Sequence, residues 1–211
     1  MVIRKDIKSF IATIPDNITL VAATKYIDLA SMRDLFSFGV TNLAENRVDS
    51  FLRKRDELSD LDITWHFIGH LQRNKARKVI NNINYLHSLD SLALAAIIDE
   101  QRKTPLDCFI EISINGEENK NGIPVNKVKS FISECLKYRN IHIVGLMMMA
   151  IADSDQQSLH HQFSSLRKLR DSLEKELNIS LPYLSMGMSD DYQIAIEEGA
   201  THIRLGRVLF E

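Results

Sequence analysis

The sequence predicts a (β/α)8 barrel with a leading N-terminal helix, and three observations carry this prediction. Short apolar runs alternate with segments of helical periodicity along the chain, and we count eight of each. The chain has 211 residues, which is enough for eight compact strand–helix repeats. The alternative is a doubly wound open sheet, but no Gly-x-Gly-x-x-Gly motif follows any predicted strand. The chain has no Pro/Ser-rich linker, so we interpret residues 1–211 as one domain.

The N-terminal half supplies the leading helix and four strands. Apolar residues from Ile3 to Ile14 recur at helical spacing and predict the leading helix. The apolar runs that follow are continuous, as in strands that are buried on both faces. A basic amphipathic helix is expected over 74–82, and Asp90 is expected to cap the next helix. The predicted strands cover residues 20–25, 41–44, 64–68 and 85–89.

The C-terminal half supplies four more strands. Pro124 falls in the first turn of a predicted helix, where its missing N–H is tolerated. A long polar helix with inward-facing leucines precedes the seventh strand, and the last helix is expected to start near Ser189. The predicted strands cover residues 108–114, 141–148, 182–186 and 202–205.

Composition and charge limit the function classes. Hydrophobic residues make up 45% and charged residues 26% of the chain, an ordinary globular balance. The net charge of −2 argues against bulk nucleic-acid binding, and we interpret the basic run over 73–78 as a solvated helix face. No apolar run reaches the roughly 20 residues of a membrane span, and the N-terminus lacks a signal core. Cys108 and Cys135 are interpreted as buried and unpaired, which predicts a cytoplasmic protein.

Lys25 closes the apolar run of the first predicted strand. In a barrel of this kind the active site lies at the carboxyl ends of the strands. An amine at the mouth of a buried strand suits Schiff-base chemistry, because burial favours its uncharged, nucleophilic form. The alternative is a lysine that extends from the strand end into water.

The last two strand ends predict an anion site. Gly187 and Gly206 allow close approach of the backbone, and Ser189 is expected where the last helix begins. Phosphate sites in such barrels are built from the loops after strands seven and eight. A plain turn with Ser189 as a helix cap is the alternative. Because strand eight neighbours strand one in a closed barrel, a phosphate anchor beside Lys25 predicts a pyridoxal 5′-phosphate (PLP) site.

Arg204 on the last predicted strand is a cation that can only donate hydrogen bonds. Against the pyridine nitrogen of PLP it would keep that nitrogen unprotonated and weaken the cofactor as an electron sink. The alternative is an ion pair at the barrel rim, with Asp190, Asp191 or Glu197 as the partner.

Six segments carry recognisable motifs. They are Ala23-Thr24-Lys25, Ala44-Glu45-Asn46-Arg47, Trp65 to Lys75, Ile112 to Gly122, Ser185 to Asp191 and Ile203 to Arg207. With these motifs nearly the whole chain resembles the family of pyridoxal phosphate homeostasis proteins, also called YggS or PROSC-like proteins, which are similar to the barrel domain of alanine racemase.

The resemblance implies a PLP site in which Lys25 forms a Schiff base and Arg204 lies near the pyridine nitrogen. The phosphate would be held around the last two loops, and the remaining residues would line the pocket. At position 207 many family members have serine or threonine, so an arginine there leaves open whether its backbone or its guanidinium meets the phosphate. The implied cofactor-binding residues are Lys25, Asn46, His66, Met186, Ser189, Arg204, Gly206 and Arg207.

The resemblance favours a monomeric carrier that buffers PLP and delivers it, with PLP-dependent apo-enzymes as candidate partners. The alternative is a PLP-dependent amino-acid racemase, which needs a second acid/base opposite the lysine. In the alanine racemase relatives a tyrosine on a separate domain supplies that group. Tyr26 is expected to point away from Lys25 along the strand, which leaves His66 and Tyr192 as weak candidates. A third interpretation is a cofactor-free, phosphate-binding barrel.

No metal site is expected. His66 and His70 are four residues apart, but they straddle a predicted strand end and would not share a helix face.

Overall fold

The computed structural model describes residues 2–114 and 122–211. Its strands are β1 (Thr19–Ala23), β2 (Asn42–Glu45), β3 (Thr64–Phe67), β4 (Tyr85–Leu89), β5 (Leu106–Ser113), β6 (Ile123–Pro124), β7 (Ile141–Met147), β8 (Tyr183–Ser185) and β9 (His202–Leu205). They pair in the order β4-β3-β2-β1-β9-β8-β7-β5, and β4 also pairs with β5. All these pairings are parallel and close a ring of eight strands, which confirms the barrel and excludes the open sheet. The two-residue β6 pairs with the end of β5.

Eight α-helices lie within the described ranges. They are α1 (Ile7–Ile11), α2 (Leu29–Ser37), α3 (Val48–Glu57), α4 (Arg73–Val79), α5 (Leu92–Gln101), α6 (Val125–Cys135), α7 (Gln156–Leu177) and α8 (Tyr192–Glu197). Short 3-10 turns follow at Ile80–Asn82 and Arg207–Leu209. None of the helices in the described ranges is both long and apolar enough to cross a membrane.

The leading helix is shorter than the apolar spacing predicts. Ile3 forms an antiparallel bridge with Phe210, and the N–H of Glu211 donates to the carbonyl of Val2 at 2.8 Å. These contacts tie the two ends of the chain together and hold the first residues in an extended form, so α1 begins only at Ile7.

β1 ends two residues earlier than predicted. Its last paired residue is Ala23, which lies opposite Ala44 of β2. The N–H of Thr24 still donates to the carbonyl of Ala44 at 2.9 Å, but Lys25 lies in the turn beyond. The side chain of Lys25 therefore leaves the barrel from a loop and not from a strand.

Two helix starts also differ from expectation. Ser91, and not Asp90, caps α5, because its hydroxyl accepts from the N–H of Leu94 at 3.3 Å. The carboxylate of Asp90 instead bonds to Nδ1 of His70 at 3.0 Å. Pro124 lies in the N-cap position of α6 and not in its first turn.

The interior of the barrel carries aromatic and histidine rings besides aliphatic side chains. His66 stacks on Tyr85 with ring centroids 4.7 Å apart, and His87 stacks on Phe109 at 4.4 Å. His202 packs against the same group, with its ring 5.2 Å from that of Phe109. The polar atoms of these rings need hydrogen-bond partners inside the barrel. Those partners connect the rings to Arg204 at the candidate site.

Candidate functional site

A cavity of about 270 Å³ opens at the carboxyl ends of β1, β8 and β9. This is the end of a (β/α)8 barrel at which active sites are found. Of the eight residues expected in the site, the cavity brings five together. They are Lys25, Ser189, Arg204, Gly206 and Arg207.

Lys25 is exposed at this cavity, and its Nζ lies 4.8 Å from the centroid of the Tyr26 ring. The expectation of a buried amine is therefore wrong. The expectation that Tyr26 points away from Lys25 is also wrong, because β1 ends at Ala23 and the alternation of a strand no longer applies. Tyr26 lines the cavity beside Lys25.

Ser189 lies where two backbone donors converge. The N–H groups of Gly206 and Val208 both donate to Ser189 Oγ, each at 3.3 Å. A Cβ added at Gly206 would meet Ala23 only at an ordinary 3.7 Å, so the protein itself leaves room beside this N–H. The two amides are directed at the hydroxyl oxygen itself, and such converging N–H groups can bind an anion such as a phosphate when the hydroxyl turns aside.

The helix near Ser189 starts later than predicted. α8 begins at Tyr192, and Asp191 takes the N-cap position. Ser189 is therefore not the helix cap, and the donors at the site are those of the loop after β9. No residue pattern points to Val208, since every residue except proline carries the backbone N–H that acts here.

Gly187 holds the loop after β8 in a conformation that favours glycine. Its φ is +92°, and an added Cβ would lie 2.6 Å from the Cβ of Ala195. A side chain here would push α8 away from the barrel and move Ser189 with it.

Arg207 forms an ion pair with Asp190 across the rim of the cavity, and both side chains are exposed. The guanidinium at this position is thus engaged with a carboxylate. The neighbouring backbone N–H groups, and not this side chain, face Ser189.

Arg204 is buried, with 5% of its surface exposed. Its Nη1 donates to Ser185 Oγ at 2.6 Å, and its Nη2 donates to the carbonyl of Met148 at 2.8 Å. The alternative of a rim ion pair is therefore wrong. Burial lowers the pKa of Arg204 to about 10, partly offset by the charges of Glu111 and Asp191, so the group stays charged at neutral pH.

A chain of hydrogen bonds runs from Arg204 through the barrel. Ser185 Oγ lies 2.8 Å from His87 Nδ1, and His87 Nε2 lies 2.9 Å from His66 Nδ1. His66 Nε2 lies 3.0 Å from Asn42 Oδ1, an atom that can only accept. Burial lowers the pKa of His66 to about 3 and that of His87 well below its usual range, so both rings are neutral.

The direction of this chain follows from its two ends. His66 must donate through Nε2 to Asn42, so its Nδ1 accepts from His87. His87 in turn accepts at Nδ1 from the hydroxyl of Ser185, which is itself an acceptor for Arg204. We refer to these residues, Arg204, Ser185, His87, His66 and Asn42, as the buried relay. The expectation that His66 lines the pocket is wrong, because it lies inside the barrel within this relay.

Asn46 and Met186 lie outside the lining of the cavity. Asn46 follows β2, and its buried Oδ1 has no hydrogen-bond partner among the described residues. The backbone of Asn46 packs closely on Gly69. A Cβ added at Gly69 would lie 2.3 Å from the carbonyl oxygen of Asn46. Met186 is fully buried behind the site. Residues 115–121, a part of the fourth motif, lie outside the described residues.

Sequence reasoning missed the middle of the relay. Ser185 stands in a recognised motif, but no pattern links it to His87, which is 98 residues away in the chain. The signal that the sequence did carry was that both residues fall within predicted strands, at 85–89 and 182–186.

Comparisons with known proteins agree with this geometry. The profile of the family "Alanine racemase, N-terminal domain" matches residues 19–211. A pyridoxal phosphate homeostasis protein of Aquifex aeolicus is 39% identical over 194 residues, which cover 90% of this chain and 85% of the relative.

Two solved structures are informative. PipY of Synechococcus elongatus, with PLP bound, superposes with a TM-score of 0.90 at 30% identity, over 97% of this chain and all (100%) of that one. An alanine racemase of Clostridium difficile has a TM-score of 0.77 at 18% identity and shares the fold. This chain covers 98% of its own length but 57% of the racemase. The protein belongs to the family of pyridoxal phosphate homeostasis proteins, whose barrel is that of the alanine racemase N-terminal domain.

Proposed function

We propose that this protein binds PLP through Lys25 and acts in intracellular vitamin B6 homeostasis, by buffering and delivering the cofactor without robust catalysis. One observation carries the proposal. Lys25 lines the same cavity as Ser189, on whose hydroxyl the N–H groups of Gly206 and Val208 converge, and this supports an amine near a phosphate site.

The residues of the site fit the cofactor. PLP supplies an aldehyde, which condenses with a lysine amine and releases water, and a phosphate that anchors it. Ser189 and the N–H groups of Gly206 and Val208 would hold the phosphate. Arg204, buried and charged, would face the pyridine nitrogen as a donor-only group.

Tyr26 keeps the racemase alternative testable, because it lines the same cavity. A two-base racemase needs its second group on the face of the substrate opposite the lysine. Tyr26 adjoins Lys25 in the chain, and its ring faces Lys25 Nζ. This arrangement puts both groups on one side of the cavity and supports a carrier.

The experiment is an absorption spectrum of the purified protein with added PLP, before and after borohydride reduction, beside Lys25→Ala. We expect a visible band that reduction fixes to Lys25, as seen by peptide mass spectrometry, and no such band in the variant. A spectrum without this band would leave only a phosphate-binding barrel. Racemisation of an L-amino acid panel by wild type, lost in Tyr26→Phe, would establish the enzyme instead.

The remaining parts of the proposal concern partners and location. We take residues 1–211 as one PLP-binding domain that acts as a monomer in the cytoplasm. The buried thiols Cys108 and Cys135 support a reducing compartment. PLP-dependent apo-enzymes are the proposed recipients, and no nucleic acid, membrane or metal is part of the proposal. Light scattering of the holo-protein tests the monomer directly.

A further inference from the structure

Thr24, the residue before Lys25, is held by all of its polar groups. It is fully buried, and its N–H donates to the carbonyl of Ala44 at 2.9 Å. Its hydroxyl lies 2.8 Å from Glu45 Oε1. Its carbonyl accepts from Lys54 Nζ at 2.6 Å and from the N–H of Ile27 at 2.9 Å. The backbone is therefore fixed at the last residue before Lys25 leaves the barrel.

Two of these contacts come from a buried ion pair. Lys54 Nζ lies 2.6 Å from Glu45 Oε1, and the side chains are 2% and 0% exposed. Glu45 is the last residue of β2, and Lys54 lies on α3 between the less buried Arg53 and Arg55. Glu45 Oε1 thus accepts hydrogen bonds from both Thr24 and Lys54. The other carboxylate oxygen, Oε2, has no hydrogen-bond partner in the part of the chain that the structure describes.

Stability alone does not explain this pair. Removing two charges from water is costly, and apolar side chains of similar volume often serve a buried position equally well or better. An apolar pair could not bond to the carbonyl of Thr24, which would keep only the local bond from the N–H of Ile27 and lose its tie to α3. What the ion pair adds is a fixed position for the backbone next to Lys25.

We propose that Glu45 and Lys54 are positioning residues for Lys25. They hold Thr24 so that the amine of Lys25 starts from a fixed backbone when it meets the aldehyde of PLP. This inference rests on the proposed function, and it predicts a specific division of effects. Loss of the pair slows covalent capture by Lys25, whereas the phosphate cradle of the loops after β8 and β9 keeps its affinity.

The test compares two ligands on one set of variants. PLP reports covalent capture through the rate at which its visible band forms. Pyridoxine 5′-phosphate, which has an alcohol in place of the aldehyde, reports non-covalent binding alone. In Glu45→Leu/Lys54→Met, with no charge left buried, we expect capture to slow by about ten- to a hundredfold, the range that small misplacements of reacting groups cause. The affinity for pyridoxine 5′-phosphate should stay within about twofold of wild type.

Two further variants guard against a purely structural effect. Lys54→Arg keeps a cationic donor and should restore much of the capture rate relative to Lys54→Met. Asn140→Ala removes a comparable clamp far from the site, in which Asn140 Nδ2 donates to the carbonyls of Asp99 and Arg102 at 2.9 Å each. It should lower the melting temperature and leave the capture rate unchanged.

The outcomes separate this inference from the proposed function. If wild type captures PLP and the folded double variant captures it equally fast, the positioning role is overturned and the PLP site is left intact. An equal loss of pyridoxine 5′-phosphate binding would overturn it too, because the defect would then be general. A wild type that binds pyridoxine 5′-phosphate but never captures PLP would reject Lys25 as the attachment point, and the positioning role with it.

Discussion

The guanidinium of Arg204 donates to the hydroxyl of Ser185 at 2.6 Å, beneath the cavity that also holds Lys25. This contact does more than orient a charge. A hydroxyl that accepts from a cation is free to donate elsewhere, and that of Ser185 donates to His87. Every hydrogen bond of the buried relay is therefore donated in the direction that leads away from Arg204. The partners of the guanidinium among the described residues are a hydroxyl and a carbonyl.

Ser185→Ala should be destabilising out of proportion to its size. It removes one of the two side-chain hydrogen bonds that Arg204 makes with the described residues, and it takes away the donor to Nδ1 of His87. Buried groups that lose a partner cost about 1–3 kcal/mol each. Because two such groups are affected, we expect a loss of unfolding free energy of about 2–6 kcal/mol, measured by urea denaturation. Ser130→Ala, which removes only an exposed bond to the carbonyl of Lys127, is the control, and equal losses in the two variants would contradict the relay.

The buried histidines predict how stability changes with pH. Burial, with a smaller effect of the charge on His202, lowers the pKa of His66 to about 3 from a usual 6.5. As the pH falls below 6.5 the unfolded chain binds a proton at this residue and the folded chain does not, so stability decreases. The slope from one such group is about 1.4 kcal/mol per pH unit.

His66→Gln should therefore flatten the pH dependence of the unfolding free energy between pH 6 and pH 4.5 by about that slope. The measurement is a series of urea titrations across this window. His161→Gln, at an exposed position of α7, should leave the slope as in wild type. A wild-type slope in His66→Gln would show that the ring is protonated in the folded protein.

The strands were predictable because a strand buried on both faces must be apolar along its length. β4 and β9 have the observed bounds in the sequence prediction, although polar residues such as His87 and Arg204 interrupt their apolar runs. The turn at Lys25 was not predictable, since the end of β1 depends on where its pairing with β2 stops. Local sequence does not encode that register.

The candidate site divides in the same way. Lys25, Ser189 and Gly206 could be inferred from chemistry-bearing residues at successive strand ends, and the cavity brings them together. The relay could not, because His66 and His87 are polar residues within apolar runs, and their partners are set only when the barrel closes. The burial of Lys54 could not be predicted, because it stands among charged neighbours on α3 and only the packing shows which of them is buried.

Substitutions at Ser189 should have graded effects on PLP affinity. Ser189→Ala removes the hydroxyl but leaves the N–H groups of Gly206 and Val208, so we expect a loss of roughly tenfold, the value of about one hydrogen bond to a charged group. Ser189→Asp places a carboxylate where the phosphate would bind. It should satisfy the two amides, raise the melting temperature of the ligand-free protein and abolish binding of pyridoxine 5′-phosphate. Equal affinities in the two variants would place the phosphate elsewhere.

Arg207→Ala should affect binding much less than Ser189→Ala does. The Arg207 side chain is 76% exposed and already paired with Asp190, and exposed ion pairs contribute little to stability. A contact made by its guanidinium would be screened by salt, whereas the amides beside Ser189 would not be. Pyridoxine 5′-phosphate titrations at low and high salt distinguish the two. A large, salt-dependent loss in Arg207→Ala would mean that the guanidinium exchanges Asp190 for the phosphate, while a small loss places the phosphate on the backbone.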